Sequence, residues 1–231
     1  MIIVWNSYWI TSSKHIKMNM LKGLLFSLAL LIGGVAMAQD AKVILDKVSK
    51  KVKEYSAIYV EYDMQLNDEK AGGPIANESG KAWIKGEQFK IETADFHIYT
   101  DADYFWAYSK SDNSCAINDY SDIQEEKGFT PSDLFTIWET GYKQEHKGVN
   151  NGLTQINLYP TDSENPFHTI VMYIDESTLE ITKASMNSRD GQEMVYTIKE
   201  FKANPEVNDA TFKFNKGDYP GVDMDDQSFR D

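Results

Sequence analysis

After Tyr55 the spacing of apolar residues changes from helical to alternating, and it stays alternating for most of the chain. Before that point Ile44, Val48, Val52 and Tyr55 recur three or four residues apart behind Asp40, which predicts an amphipathic helix over residues 40–55 with a lysine-rich outer side. After it, Ile58, Val60, Tyr62 and Met64 alternate with Tyr59, Glu61, Asp63 and Gln65. A period of two puts one set on each face of a sheet, so this is a half-buried strand.

The pattern then repeats between turn signals. Gly72, Gly73 and Pro74 mark residues 67–78 as a loop. Strands are predicted at about 80–85, 88–93, 97–100, 104–109 and 114–118, with turns at Asp101-Ala102-Asp103 and Ser111-Asp112-Asn113. An acidic loop over 119–128 interrupts the meander. "TPSDLFTIWETGY" then restores the helical period: Pro131 suits a first turn, Leu134, Phe135, Ile137 and Trp138 fall on one side, and Gly141 stops the helix. A helix of about ten residues is marginal in water and needs an apolar surface to dock on. Further strands at about 142–148, 153–160, 167–174, 179–188, 193–202 and 211–214 follow, two of their hairpins marked by Asn151-Gly152 and Asp190-Gly191. The fold expected is mainly β: an unclosed, half antiparallel β-barrel of about eleven strands, with an N-terminal helix and a short lid helix over its concave face.

Residues 18–38 have the layout of a secretory signal peptide: basic at Lys22, apolar from Leu24 to Val35, then Ala36-Met37-Ala38 as a cleavage site. The apolar run is too short to cross a bilayer, which takes about 20 residues. Residues 1–17 ahead of it read as an upstream extension from a mis-assigned start. No cysteine follows the cleavage site, so Gln39 is not a lipid-modified end, and residues 39–231 form one exported domain. The formal charge of −13 grows more negative once Lys14, Lys17 and Lys22 are removed. Such a surface repels phosphate backbones and anionic headgroups, which excludes nucleic acid and electrostatic membrane docking as partners. Cys115 is alone and reads as a small buried hydrophobe.

Catalytic and metal signatures find little support. His97, His146 and His168 are far apart with no ligand-spaced partner, Asp101-Ala102-Asp103 lacks the glycine and distal glutamate of a calcium loop, and no serine lies in a G-x-S-x-G elbow. Glu125-Glu126 are adjacent loop acids, and "DMDDQ" reads as a solvated acidic tail. Neither an enzyme, a metal nor a cofactor is predicted.

Six stretches carry a resemblance: "AKVILDKVSKKVKEY", "GKAWIKGEQFKIE", "YTDADYFWAY", "TPSDLFTIWETGYK", "MYIDESTLEITKASMNSRDG" and "FKFNKGDYPGVDM". In order and spacing the chain resembles the outer-membrane lipoprotein carrier family, LolA. Its most specific parts are G-x-x-W-[IV]-K at Gly80, Trp83 and Lys85 and D-x-x-x-[LF]-W-x-Y at Asp101, Trp106 and Tyr108. The resemblance implies a monomeric periplasmic carrier whose apolar concavity shields lipoprotein acyl chains from water. It implies an inner-membrane ABC-type transporter as donor; the outer-membrane acceptor is not specified. A binding module of the same fold for another hydrophobic ligand, or a lipoprotein-sensing regulator, is the alternative. Each buried methylene is worth about 0.8 kcal/mol, so three long chains represent on the order of 30 kcal/mol, and the need for shelter is absolute.

On this resemblance the cavity and lid are expected to draw on Val60, Tyr62, Met64, Trp83, Phe89, Ile91, Trp106, Leu134, Phe135, Ile137, Trp138, Met172 and Met186, with Met194 as a further flexible wall residue. Trp83 shares a strand face with Lys81 and Lys85. Either it lines the concavity with the lysine stems along the wall, or it packs outward against the first helix with the lysines solvated. Many relatives carry an arginine beside the strand lysine that bonds the lid; here "IKGEQF" lacks it, and Lys85 is the residue left to control the lid, with a point charge in place of a planar fork.

Overall fold

A computed structural model describes residues 40–125 and 130–228. The signal-peptide and start-site readings at 1–38, and Gln39, lie outside these residues, as does Glu126.

Helix α1 covers residues 40–53. Twelve strands follow: β1 (Ile58–Asp68), β2 (Gly73–Lys85), β3 (Gln88–Glu92), β4 (Phe96–Thr100), β5 (Tyr104–Ser109), β6 (Ser114–Asp119), β7 (Tyr142–Asn150), β8 (Leu153–Pro160), β9 (Phe167–Asp175), β10 (Glu180–Ser188), β11 (Gln192–Ala203) and β12 (Asp223–Asp226). They form one sheet in the order β12-β6-β5-β4-β3-β2-β1-β11-β10-β9-β8-β7, whose two ends do not pair, so it remains open. All neighbours are antiparallel except β12 and β6. Apolar residues from β1–β5 and from β8–β11 meet in a single cluster, which requires the sheet to curl around it.

α1 belongs to that cluster through Ala41, Ile44, Leu45 and Val48. Its neighbours there are Ile156 and Leu158 of β8, Ile170, Met172 and Ile174 of β9, and Ile181 and Met186 of β10. Full burial of side chains of this size stabilises by about 1.5–3 kcal/mol each, which is what holds a helix this short. The helix's far end is tied to the β9–β10 turn, where the Lys51 ammonium donates to the Thr178 carbonyl.

Four expectations change. Residues 67–78 are not a loop: β1 runs to Asp68, β2 begins at Gly73, and only Glu69–Gly72 turn between them. Pro74 is tolerated because β2 pairs with β3 only over Lys81–Lys85, leaving its first half as a free edge where a missing N–H costs nothing. The acidic stretch carries a six-residue helix, α2 (Tyr120–Glu125), because Tyr120 and Ile123, three apart, both reach the core. The strand expected at 211–214 is a 3-10 turn, Asp209–Phe212, capped by Asn208. The tail, by contrast, is a strand: Val222 and Met224 alternate with exposed acids and pack on Tyr108 and Cys115. With one strand lost and one gained the sheet has twelve, against the figure of about eleven expected.

The short lid helix is also replaced. Residues 130–139 form two 3-10 turns, Asp133–Phe135 and Ile137–Glu139. They are separated by Thr136 at φ −139°, outside helical geometry, so the apolar residues need not share one side.

Candidate functional site

Beneath residues 130–139 the concave face leaves a cavity of about 130 Å³. Val60 and Tyr62 of β1, Ala82 and Ile84 of β2, Ile91 of β3 and Tyr196 and Ile198 of β11 form its wall, and Pro131, Leu134 and Phe135 its roof. Strand parity explains the wall. Val60 faces Ala82 across one ladder and Phe201 across the other, Ala82 faces Ile91, and neighbours on adjacent strands share a face. Ala82 is the reason for a gap: a methyl stands where a larger side chain would reach the roof. The only polar atoms among these side chains are the hydroxyls of Tyr62 and Tyr196. Burial pushes the Tyr62 hydroxyl up to about 12, with the neighbouring Tyr196 and Glu78 adding to it; Tyr196 is raised likewise, first by burial. Such a lining binds hydrocarbon and offers no acid, base or nucleophile.

The roof is fastened at each end. Ser132 Oγ donates to the Gly86 carbonyl in the β2–β3 turn at 2.8 Å. Trp138 Nε1 donates to Ser49 Oγ of α1 at 2.9 Å, in a buried contact, and Lys53 pairs with Glu139 at 2.6 Å. Gln144 Nε2 donates to the Trp138 carbonyl at 2.8 Å. Within the roof, Asp133 accepts from Thr130 N at 2.7 Å and Thr130 Oγ1 at 2.8 Å, closing the first turn. The break at Thr136 lets Leu134 and Phe135 face the cavity while Trp138 turns to α1.

Of the expected residues, the structure gathers Val60, Tyr62, Ile91, Leu134 and Phe135 around the cavity. Phe89, Ile137, Trp138, Met172 and Met186 lie in the packed core beside it, with Met194 partly buried against that core. Met64 is on the cavity's face of β1 but further along the strand. Three placements are corrected. Trp83 lies on the outer face of the sheet, where its ring meets Tyr59 at 5.1 Å and the Lys90 ammonium at 5.0 Å. It packs outward, then, but on strand neighbours and not on the first helix. Trp106 is also outside, packed on a second cluster of Tyr108, Cys115, Val222, Phe214, Tyr219 and Met224. Lys85 pairs with Asp209 at 2.9 Å and Lys81 with Glu61 at 3.2 Å, both on that outer face, so Lys85 anchors the C-terminal segment and does not touch the roof.

Ala82, Ile84, Pro131, Tyr196 and Ile198 were not singled out from the sequence. Parity would have found the first two, since Trp83 has lysines two residues away on either side and its own face is therefore wet. Among the described residues no three His, Cys, Asp or Glu side chains come together to hold a metal, and no helix is long and apolar enough to cross a membrane.

The profile of the family described as outer membrane lipoprotein carrier protein LolA matches residues 64–215. No curated protein matches the sequence. Among solved structures, an uncharacterized conserved protein from Thermus thermophilus is similar at 13% identity and a TM-score of 0.51, over 81% of this chain and 99% of that one. A LolA superfamily protein from Nitrosomonas europaea aligns at 12% identity and 0.41, over 75% and 97%. The lipoprotein LppX of Mycobacterium tuberculosis aligns at 14% and 0.43, over 72% and 98%. At these identities the likeness is one of fold.

Proposed function

The chain belongs to the outer membrane lipoprotein carrier protein LolA family, and from that premise we propose that it shelters the acyl chains of a lipoprotein while they cross the periplasm. It acts as a monomer after removal of its signal peptide, receives its cargo from an ABC-type transporter of the inner membrane, and makes no covalent bond. The observation that carries this reading is an apolar cavity covered by a roof that is neither a full helix nor part of the sheet. An engineered apolar cavity of about 150 Å³ takes one benzene. The present cavity, at about 130 Å³, therefore holds a few carbons as it stands, and whole acyl chains need residues 130–139 to lift. Lifting breaks two exposed ties, Ser132–Gly86 and Lys53–Glu139, and over its far half it must also unbury Trp138 and break the Trp138–Ser49 and Gln144–Trp138 bonds, a cost that burial of the cargo offsets.

This replaces the lid control expected of Lys85. Where relatives use an arginine, the ties here run from the roof's own Ser132 and Glu139. A fixed, snug pocket would compete poorly with a bilayer that offers the same burial; a liftable roof gives shelter that adapts to the cargo.

The small volume favours a second reading, a carrier of one single-chain hydrophobic compound. Native mass spectrometry of protein purified from the periplasm separates the two. Triacylated protein bound one to one supports the first reading, and a free single-chain lipid the second. Protein that carries nothing, and fails to bind a fluorescent naphthylamine probe, rejects both. In the Leu134→Ser/Phe135→Ser variant retention of cargo should fall at least tenfold; unchanged retention would remove the roof from the mechanism.

A further inference from the structure

The glycine that opens "GKAWIK" occupies a point of steric contact, not a turn. Gly80 faces Tyr62 across the β1–β2 ladder. A Cβ built on it would lie 2.5 Å from both Cζ and the hydroxyl oxygen of Tyr62, well inside the distance at which such atoms attract. The Tyr62 ring thus lies over the bare backbone of Gly80, in space that any other residue would fill. Ile198 faces Tyr62 from the other side, and the Tyr196 ring stands 5.8 Å away at 59°.

Tyr62 and Tyr196 are also the last residues of their strands to line the cavity on the side of the β1–β2 turn. Past them the same face continues through Met64, Leu66 and Met194, all half-buried. An apolar track therefore extends beyond the cavity, and an aromatic ring stands between the two.

We propose that Tyr62 is the stop that sets the length of hydrocarbon the cavity accepts, held across the track because Gly80 presents no side chain. This rests on the acyl-chain reading of the cavity. A chain lying along β1 and β11 ends against the ring. Substrates are ranked by length, and the ranking is written by this pair.

Two measurements test it. The first needs no ligand: Gly80→Ala should lower the melting temperature in the native background and leave it unchanged when Tyr62 is already alanine. Additive losses would show that the ring does not depend on Gly80 and would overturn the proposal. The second measures displacement of a naphthylamine probe by saturated fatty acids of increasing length. Affinity should rise about fourfold per methylene, the equivalent of about 0.8 kcal/mol, and then level off. Tyr62→Ala should move the levelling-off to longer chains; the same levelling-off point in that variant overturns the stop. If the native protein binds no fatty acid of any length, the acyl-chain reading falls and takes the stop with it, whereas coupled melting of Gly80 and Tyr62 would stand as packing alone.

Discussion

Under α1 the concave face is solid, with Ile156, Leu158, Ile170, Met172 and Ile174 at 0% exposure, whereas under residues 130–139 the same sheet keeps a gap beside Ala82. The two halves belong to one sheet; they differ in what covers them. α1 is a continuous helix that brings four apolar residues to the interface in register. The roof is a broken segment that divides its apolar residues between the cavity and α1. Close packing belongs to the first and room for a guest to the second, and one sheet supports both because its β1–β11 ladder joins them.

The contrast is open to measurement. Met172→Ala, in the solid half, should cost about 2–5 kcal/mol in urea unfolding, whereas Leu134→Ala should cost only about 1 kcal/mol because its neighbour is already a void and the roof can settle. Equal costs would erase the distinction. Trp138→Phe should cost about 1–2 kcal/mol by removing the indole N–H bond to the buried Ser49 hydroxyl, and Ser49→Ala combined with it should add little further; full additivity would mean that the roof and α1 are not joined there. Ser132→Ala removes one exposed hydrogen bond worth about 0.5 kcal/mol, so amide exchange over 130–139 should quicken roughly twofold while exchange in β8–β10 stays as it was.

The smallest effect concerns neither half but the outer face. His97 Nδ1 lies 2.7 Å from the Tyr219 hydroxyl. Burial, with Lys110 and Lys90 adding to it and Glu92 opposing, holds the His97 imidazole below its ordinary value. The unfolded chain then binds the proton first. Stability from this group is complete above the ordinary imidazole range, near pH 6.5, and declines as pH falls through it toward the lower folded value. His97→Gln should flatten the dependence of the unfolding midpoint on pH between about 7 and 5; an unchanged slope would place the titration elsewhere.

Much of this is legible in the sequence. Alternation located β1 and most of the later strands, Asn151-Gly152 stands at φ 52° and 81° as a tight hairpin requires, and the LolA resemblance gave the open sheet with its covered concavity. Strand faces were less readable. Tyr104, Trp106 and Tyr108 alternate with Phe105 and Ala107, so both faces of β5 look apolar, and nothing local says that Phe214, Tyr219 and Val222 from the far end of the chain cover the outer one. The roof misled for another reason. Its apolar spacing is helical, but the buried indole of Trp138 finds its acceptor on Ser49 of α1, and a tertiary bond overrode the local period.

β1 is the first strand of the chain, yet its ladder partner Ala203 stands opposite Ile58, at the end of the eleventh strand. The middle of the sheet is therefore stitched by the two sequence extremes of its antiparallel run, and no truncated portion of the chain can complete it. Such long-range pairing is slow to form and late to pay back its loop entropy. The central seam of the sheet therefore closes only once β11 has been made, and every earlier stage of synthesis leaves one edge of β1 without its partner.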